Sequence, residues 1–250
     1  MPRTIVALVL REMATTHGRS PGGYVWAVLE PVAALIVMTV VFSLVLRSPS
    51  LGTSFPLFYA TGFLPFLLFN DVSAKAATSI RFSRPLLTYP SVTFIDALLA
   101  RILLTVLTHV MINYLIFTGI ILLTDTRTIL TVKPIVVAVS MTVMLGLGVG
   151  TLNCYLMTSF PAWERVWQIL TRPLFLVSCI FFTFEDLPPM VQKLLWFNPL
   201  SHVTGEMRRG FYANYTPNYI SVTFVMTVSL ICLVLGLAML RGNAQALIND

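Results

Sequence analysis

The sequence predicts an all-α integral membrane protein: six transmembrane helices, an N-terminal amphipathic interface helix and a re-entrant hairpin before the last span. Three observations carry this. Hydrophobic residues make up 57% of the 250 positions and charged residues 10%, against about 45–50% and about 25% in ordinary soluble domains. Mean hydropathy is +0.86. The apolar residues are gathered into runs close to the ~20 residues that cross a bilayer as a helix. A soluble domain of this size cannot cover so much apolar surface, so composition excludes a soluble enzyme, a disordered chain and a nucleic-acid-binding domain. The formal charge of +6 reports first on topology.

In residues 1–23, Ile5, Leu8, Val9, Met13 and Thr16 recur near helical spacing among Arg3, Arg11 and Glu12, which suits a helix lying in the interface. The apolar stretch between Arg3 and Arg11 is too short for a signal peptide, and no small-residue cleavage site follows. The run from Gly18 to Gly23 breaks the helix. Residues 24–46 form the first span, carrying Glu30 and Pro31. Residues 55–70 form the second, with Pro56, Gly62 and Pro65. Neighbouring helices can satisfy the carbonyls that such prolines free. Residues 72–95 are the first long polar segment. Residues 102–124 form an uncharged third span, and 134–158 a fourth whose Gly146, Gly148 and Gly150 permit close helix approach. The fifth span, 166–184, must include Arg172, because only twelve uncharged residues separate Arg172 from Glu185. Residues 185–212 are too short and too interrupted, by Pro188-Pro189 and Asn198-Pro199, to cross, and read as re-entrant. Residues 219–240 form the last span.

Six spans place both ends on one side. Basic residues there (Arg3, Arg11, Arg19, Lys75, Arg81, Arg84, Arg101, Arg165, Arg172, Arg241) outnumber those opposite (Arg47, Arg127, Lys133, Lys193, Arg208, Arg209). The bias puts both termini in the cytoplasm. No internal repeat is evident, which weakens the case for an inverted-repeat transporter.

No lysine follows a glycine, so no phosphate-cradling P-loop exists in this chain. His17, His109 and His202 stand far apart, and no metal-ligand or catalytic cluster forms. Cys154, Cys179 and Cys232 lie singly in apolar runs and read as packing residues. Ionisable groups of the kind an ion-coupled carrier keeps at mid-membrane are almost absent. If the chain moves a cargo uphill, the energy is expected to come from another chain.

Five stretches carry a resemblance. They are Leu10–Met13 with Gly23–Pro31, Phe55–Phe66, Ile95–Arg101, Ser159–Pro161 through Arg172–Leu174 to Cys179–Phe182, and Trp196–His202 followed by Glu206 and Arg208. In order and spacing they resemble the transmembrane subunits of polysaccharide-exporting ABC transporters, especially the capsule-polysaccharide branch. The resemblance implies a homodimer with two separate nucleotide-binding ATPase subunits in a bacterial inner membrane. ATP and Mg would belong to those partners, with no cofactor in this chain. The cargo it implies is a lipid-linked, usually anionic polysaccharide, handed to a periplasmic adaptor and an outer-membrane polysaccharide exporter. O-antigen or teichoic-acid export is the alternative in the same class. A secondary transporter or a membrane glycosyltransferase lies outside it.

Site readings follow from the resemblance. Arg81, Arg84, Pro85 and Tyr89 would form an ATPase-coupling segment, the plain alternative being a solvated positive-inside loop. Phe160, Pro161, Glu164 and Arg165 form a second such candidate. Glu30, Arg101 and Arg172 are candidates for the substrate pathway, because guanidinium suits phosphate and carboxylate. The two arginines would otherwise snorkel to headgroups, and Glu30 would pair with one of them or cap a helix. Phe55, Phe58, Phe66 and Phe69, with Gly62, make a stripe at helical spacing. It offers either a glycan track or helix packing, of which packing is preferred. Asn198, Pro199, His202, Glu206 and Arg208 are candidates for a periplasmic gate; the plain alternative, which is preferred, is a hydrogen-bonded cluster of His202, Glu206 and Arg208 that holds the hairpin together.

Overall fold

The computed structural model describes residues 7–13, 23–83, 94–124, 126 and 128–242. They are helical with connecting turns, and no strand occurs among them. Residues 7–13 form α1. The chain continues through α2 (Gly23–Val45), α3 (Phe55–Ala77), α4 (Ser79–Ser83), α5 (Phe94–Leu123), α6 (Val132–Ser159) and α7 (Ala162–Val177). A 3-10 turn (Phe184–Asp186), α8 (Pro189–Leu195), α9 (Pro199–Phe211) and α10 (Val222–Gly242) complete it.

Among the described residues five helices are long and apolar enough to cross a membrane: α2, α3, α5, α6 and α10. The chain is a multi-pass membrane protein. The expected fifth span does not reach that standard. α7 has 16 residues, about 24 Å at ~1.5 Å per residue, short of a ~30 Å hydrocarbon core. It stops at Val177 because Cys179 takes a left-handed backbone (φ 57°) and the chain turns inward. Residues 178–183 form a buried turn rather than the last turns of a helix. Gly62 of α3 makes room for it, since a Cβ there would lie 3.0 Å from the Cα of Ile180.

Two other boundaries move. α3 continues past the expected end at 70 to Ala77, carrying Asp71 and Lys75, and α5 begins at Phe94, so that Asp96 and Arg101 are helical. In α3 the Ala74, Ala76 and Ala77 cluster favours continuation, and Asp71 gains a partner in His109, 2.8 Å away.

α3 is the axle of the bundle. Its residues from Leu57 to Pro65 are buried on every face, so Pro65 sits among neighbours that tolerate a broken ladder. α6 lies against α3 on one side and α10 on the other, and its glycines divide between them. Gly146 and Gly150 meet Val72 and Ser73 of α3, while Gly148 meets the Ser229 carbonyl of α10. Gly236 of α10 answers with a close approach to the Leu152 backbone. The expected close approach at all three α6 glycines is what the structure shows. α8 and α9 are short, and α9 is almost wholly buried against α3 and α6.

Candidate functional site

At the end of the bundle bearing α4, two segments far apart in sequence meet. Arg81 of α4 lies 3.5 Å from Glu164 in the first turn of α7, and both side chains are substantially exposed. Such a pair adds ~0–1 kcal/mol to stability, so it fixes geometry more than it holds the fold. α7 is tied to α6 by Trp163, whose indole donates to Asn153 Oδ1 at 2.9 Å. Phe160 is 60% exposed. Pro161 precedes the first turn of α7, and Arg165 is exposed. Beside the Arg81–Glu164 pair a groove of about 650 Å³ opens between α3 and α7. Phe66, Asn70, Glu164, Gln168 and Arg172 are among its lining residues. Glu164 belongs to both features.

Arg101 takes no part in that groove. It is buried, ion-paired with Glu12 of α1 at 3.1 Å, and its guanidinium sits 4.2 Å from the Phe82 ring centroid. It therefore ties α1, α4 and α5 together. No ion pair joins Glu30 to Arg101 or Arg172. Glu30 lies within α2, not at a helix start, and lines a polar pocket with Arg101, Asp71 and His109.

At the opposite end, one face of α9 grips the turn after α7. Asn198 caps α9, accepting from the Leu200 amide at 3.1 Å, and its Nδ2 donates to the Val177 carbonyl at 3.0 Å. Pro199, in the first turn of α9, lacks a donor that the helix start would leave unused. Thr204 donates to the Ser178 carbonyl at 3.0 Å. Arg208 donates to the Phe182 and Ile180 carbonyls at 2.8 and 2.9 Å, and its guanidinium lies 4.1 Å from the Phe58 ring centroid. Arg208 is 1% exposed, and among the described residues no carboxylate lies within 4 Å of it. Its charge is met by carbonyl dipoles and a ring face. The last carbonyls of α7 and its turn, which the helix leaves without partners, are thus satisfied by α9.

This membrane architecture matches known proteins. Residues 3–212 match the family described as ABC-2 type transporter. The chain belongs to that family. It is 31% identical over 247 residues to the "Polysialic acid transport protein KpsM" of Escherichia coli, covering 99% of this chain and 96% of that one. It is 27% identical to the "Capsule polysaccharide export inner-membrane protein BexB" of Haemophilus influenzae, covering 97% and 92%. It is 26% identical to the "O-antigen export system permease protein RfbA" of Myxococcus xanthus, covering 85% and 75%. The expected resemblance to capsule-export permeases is confirmed.

Several site readings for this ABC-2 subunit change. Most of the aromatic stripe is packed inside the bundle, the arrangement preferred from the sequence. Phe58, Phe66 and Phe69 are buried and Phe55 is half-buried, packed among the helices that surround the first half of α3. Only Phe66 also reaches the groove. Arg172 is exposed on α7 instead of lying inside a full span. His202, Glu206 and Arg208 do not bond to one another: Glu206 pairs with Arg209 at 3.5 Å. Arg84, Pro85 and Tyr89 lie outside the described residues. The sequence reading missed Glu12, Asp71, His109, Ser201 and Thr204. The last two had a legible signal. Asn198, Ser201, Thr204 and Arg208 recur at three- and four-residue spacing, one polar face at helical period within the segment read as re-entrant.

His202 is fully buried. Its Nε2 faces the Trp196 carbonyl at 2.8 Å and its Nδ1 accepts from the Ser221 amide at 3.1 Å. A carbonyl only accepts and an amide only donates, so the ring is neutral with its proton on Nε2. Burial holds its proton affinity below the ordinary histidine value, against the opposing pull of the Trp196 and Tyr219 carbonyls. The unfolded chain therefore takes up the proton first as pH falls. Stability should be lost from about pH 6.5 downward, by up to ~1.4 kcal/mol per pH unit from this group. Thermal unfolding between pH 7.5 and 5.5 should show a falling midpoint, and His202→Gln should flatten that slope.

Proposed function

We propose that this chain is the membrane subunit of an ATP-driven exporter of lipid-linked, anionic capsular polysaccharide. Two copies would assemble with two nucleotide-binding ATPase subunits, which handle ATP and Mg. Both termini would face the cytoplasm of a bacterial inner membrane. A periplasmic adaptor and an outer-membrane exporter would receive the glycan.

One observation carries the mechanism: Glu164 lies at once in the Arg81 ion pair and on the groove wall. With the α4 end cytoplasmic, α4 and the start of α7 are the surfaces an ATPase would touch. Force on α4 passes through Arg81–Glu164 to α7, and movement of α7 alters the groove. Arg172, Asn70 and Gln168 there suit an anionic, hydroxyl-rich cargo, and the Phe66 ring offers an apolar surface for a sugar face. At the far end, the turn braced by α9 would form the exit gate. The O-antigen relative favours a second reading, in which the same machinery carries O-antigen. The glycan accepted by the reconstituted complex separates the two.

The test is a charge swap in proteoliposomes containing the chain and its ATPase. Arg81→Glu and Glu164→Arg should each lower ATP-dependent glycan transport about fivefold or more, the scale of a ~1 kcal/mol coupling. The double swap should restore most of it. Glycan transport with no requirement for a separate ATPase would sink the reading.

A further inference from the structure

α2 and α5 touch only lightly along their length, and the crevice between them has two different halves. Nearer the α4 end it is a polar pocket of about 200 Å³ where α2, α3 and α5 diverge. One turn further along both helices the lining becomes apolar. Pro31 gives way to Val32 and Leu35, and Ile112 to Leu115 and Ile116, around a groove of about 380 Å³. From Val28 to Val40 that groove follows α2 for about 18 Å at ~1.5 Å per residue, slightly more than half of a ~30 Å hydrocarbon core.

The charges in the polar half are unevenly committed. Glu12 is held by Arg101 and Asp71 by His109. Glu30 and Lys75 line the same pocket, yet among the described residues neither has an ion-pair partner within 4 Å. One acid and one base are left over. Two lining residues also retain unmet capacity. Among the described residues, Arg101 Nη1 and His109 Nδ1 are buried with no hydrogen-bond partner, and both residues are over nine-tenths buried. Buried polar atoms without partners are rare and call for a ligand or water.

We propose that this crevice holds one zwitterionic aminophospholipid. The phosphate lies toward Lys75 and Arg101, the ammonium toward Glu30, and one acyl chain fills the groove toward Gly119. An anionic phospholipid satisfies the base and leaves Glu30 facing negative charge. The zwitterion answers both. The occupant keeps α2 apart from α5 and so sets the angle of the first span. The site is independent of what the protein exports.

Gly119 makes the test clean. It lines the groove, and a Cβ built there meets nothing within 4 Å, so a large side chain fills the groove without forcing the backbone. The full chain, delipidated in mild detergent, is titrated with dioleoyl-phosphatidylethanolamine or dioleoyl-phosphatidylglycerol, and bound lipid is counted by native mass spectrometry. One phosphatidylethanolamine per chain is expected, preferred about tenfold. Gly119→Trp should remove most of the retention at an unchanged melting temperature. Glu30→Gln should abolish the preference, and Lys75→Gln should weaken both lipids. Equal retention of the two lipids by the wild-type chain would reduce the site to ordinary annular contact and overturn the proposal. Retention unaffected by Gly119→Trp would do the same. So would a disulfide between Val32→Cys in one copy and Leu115→Cys in another, since a second protein chain would then occupy the crevice.

Discussion

Arg208→Met should unfold the turn after α7 and abolish transport while leaving the remainder of the helical bundle assembled. The guanidinium makes two hydrogen bonds, to Phe182 and Ile180, both under 3 Å and out of water. Bonds from a charged donor contribute ~1.5–3 kcal/mol each, so the loss is of order 3–6 kcal/mol. The contact with Phe58 adds to this, a desolvated cation–π pair being worth ~2 kcal/mol. Methionine fills much of the volume but leaves two carbonyls without donors in a buried site. Arg208→Lys keeps the charge but places a single ammonium where a planar fork reached two carbonyls, so an intermediate loss is expected. Thermal unfolding and limited proteolysis across residues 178–188 read the local effect. In the reconstituted complex, basal ATPase activity should survive while glycan transport fails, because the damage lies at the end of the bundle far from α4. If the methionine variant melts and transports like the parent, α9 does not brace the turn.

Much of this architecture can be read from the sequence. The four spans before α7 and the last one each contain the apolar run from which a helix is expected, although α3 and α5 extend beyond theirs through Asp71, Lys75, Asp96 and Arg101. Local chemistry is equally plain at Asn198-Pro199, a capping residue followed by a residue that tolerates only a helix start. The fifth span misleads because its stop is not local. Residues 173–184 are uncharged and apolar, and nothing in them forbids a helix. What ends it is Ile180 seating against Gly62, more than a hundred positions earlier, with α9 supplying carbonyl partners afterwards. The charged residues show the same division. Arg101 and Glu164 stand out by type, but their partners lie 89 and 83 positions away, and no periodicity encodes such a pairing. The aromatic stripe on α3 is real as a pattern. Its meaning depended on how many neighbours α3 has, which only the assembled bundle decides.

Gly148→Leu should be among the most damaging single substitutions in the spans. A Cβ at this position runs into the Ser229 carbonyl, which belongs to the backbone of α10 and cannot rotate away. Either α10 moves outward along its whole contact with α6, or α6 shifts toward α3, where Gly146 and Gly150 already touch Val72 and Ser73. Neither side has slack, so the strain is not relieved by one rotamer change. Overpacking a tight core costs ~1–3 kcal/mol and at times more, and between spans the close backbone approach is itself the source of adhesion. For a chain of this size that corresponds to a fall in melting temperature of ~2–4 °C per kcal/mol. Gly236→Leu, which meets the Leu152 amide nitrogen at 2.6 Å from the other side, should behave alike. The pair should fall short of additivity because both force the same two helices apart. Gly119→Leu is the matched control, an identical change in a span where the new Cβ meets no protein atom within 4 Å, and in delipidated detergent it should melt with the parent. Equal melting of the Gly148 and Gly119 variants would mean that α6 and α10 are not held by glycine contact.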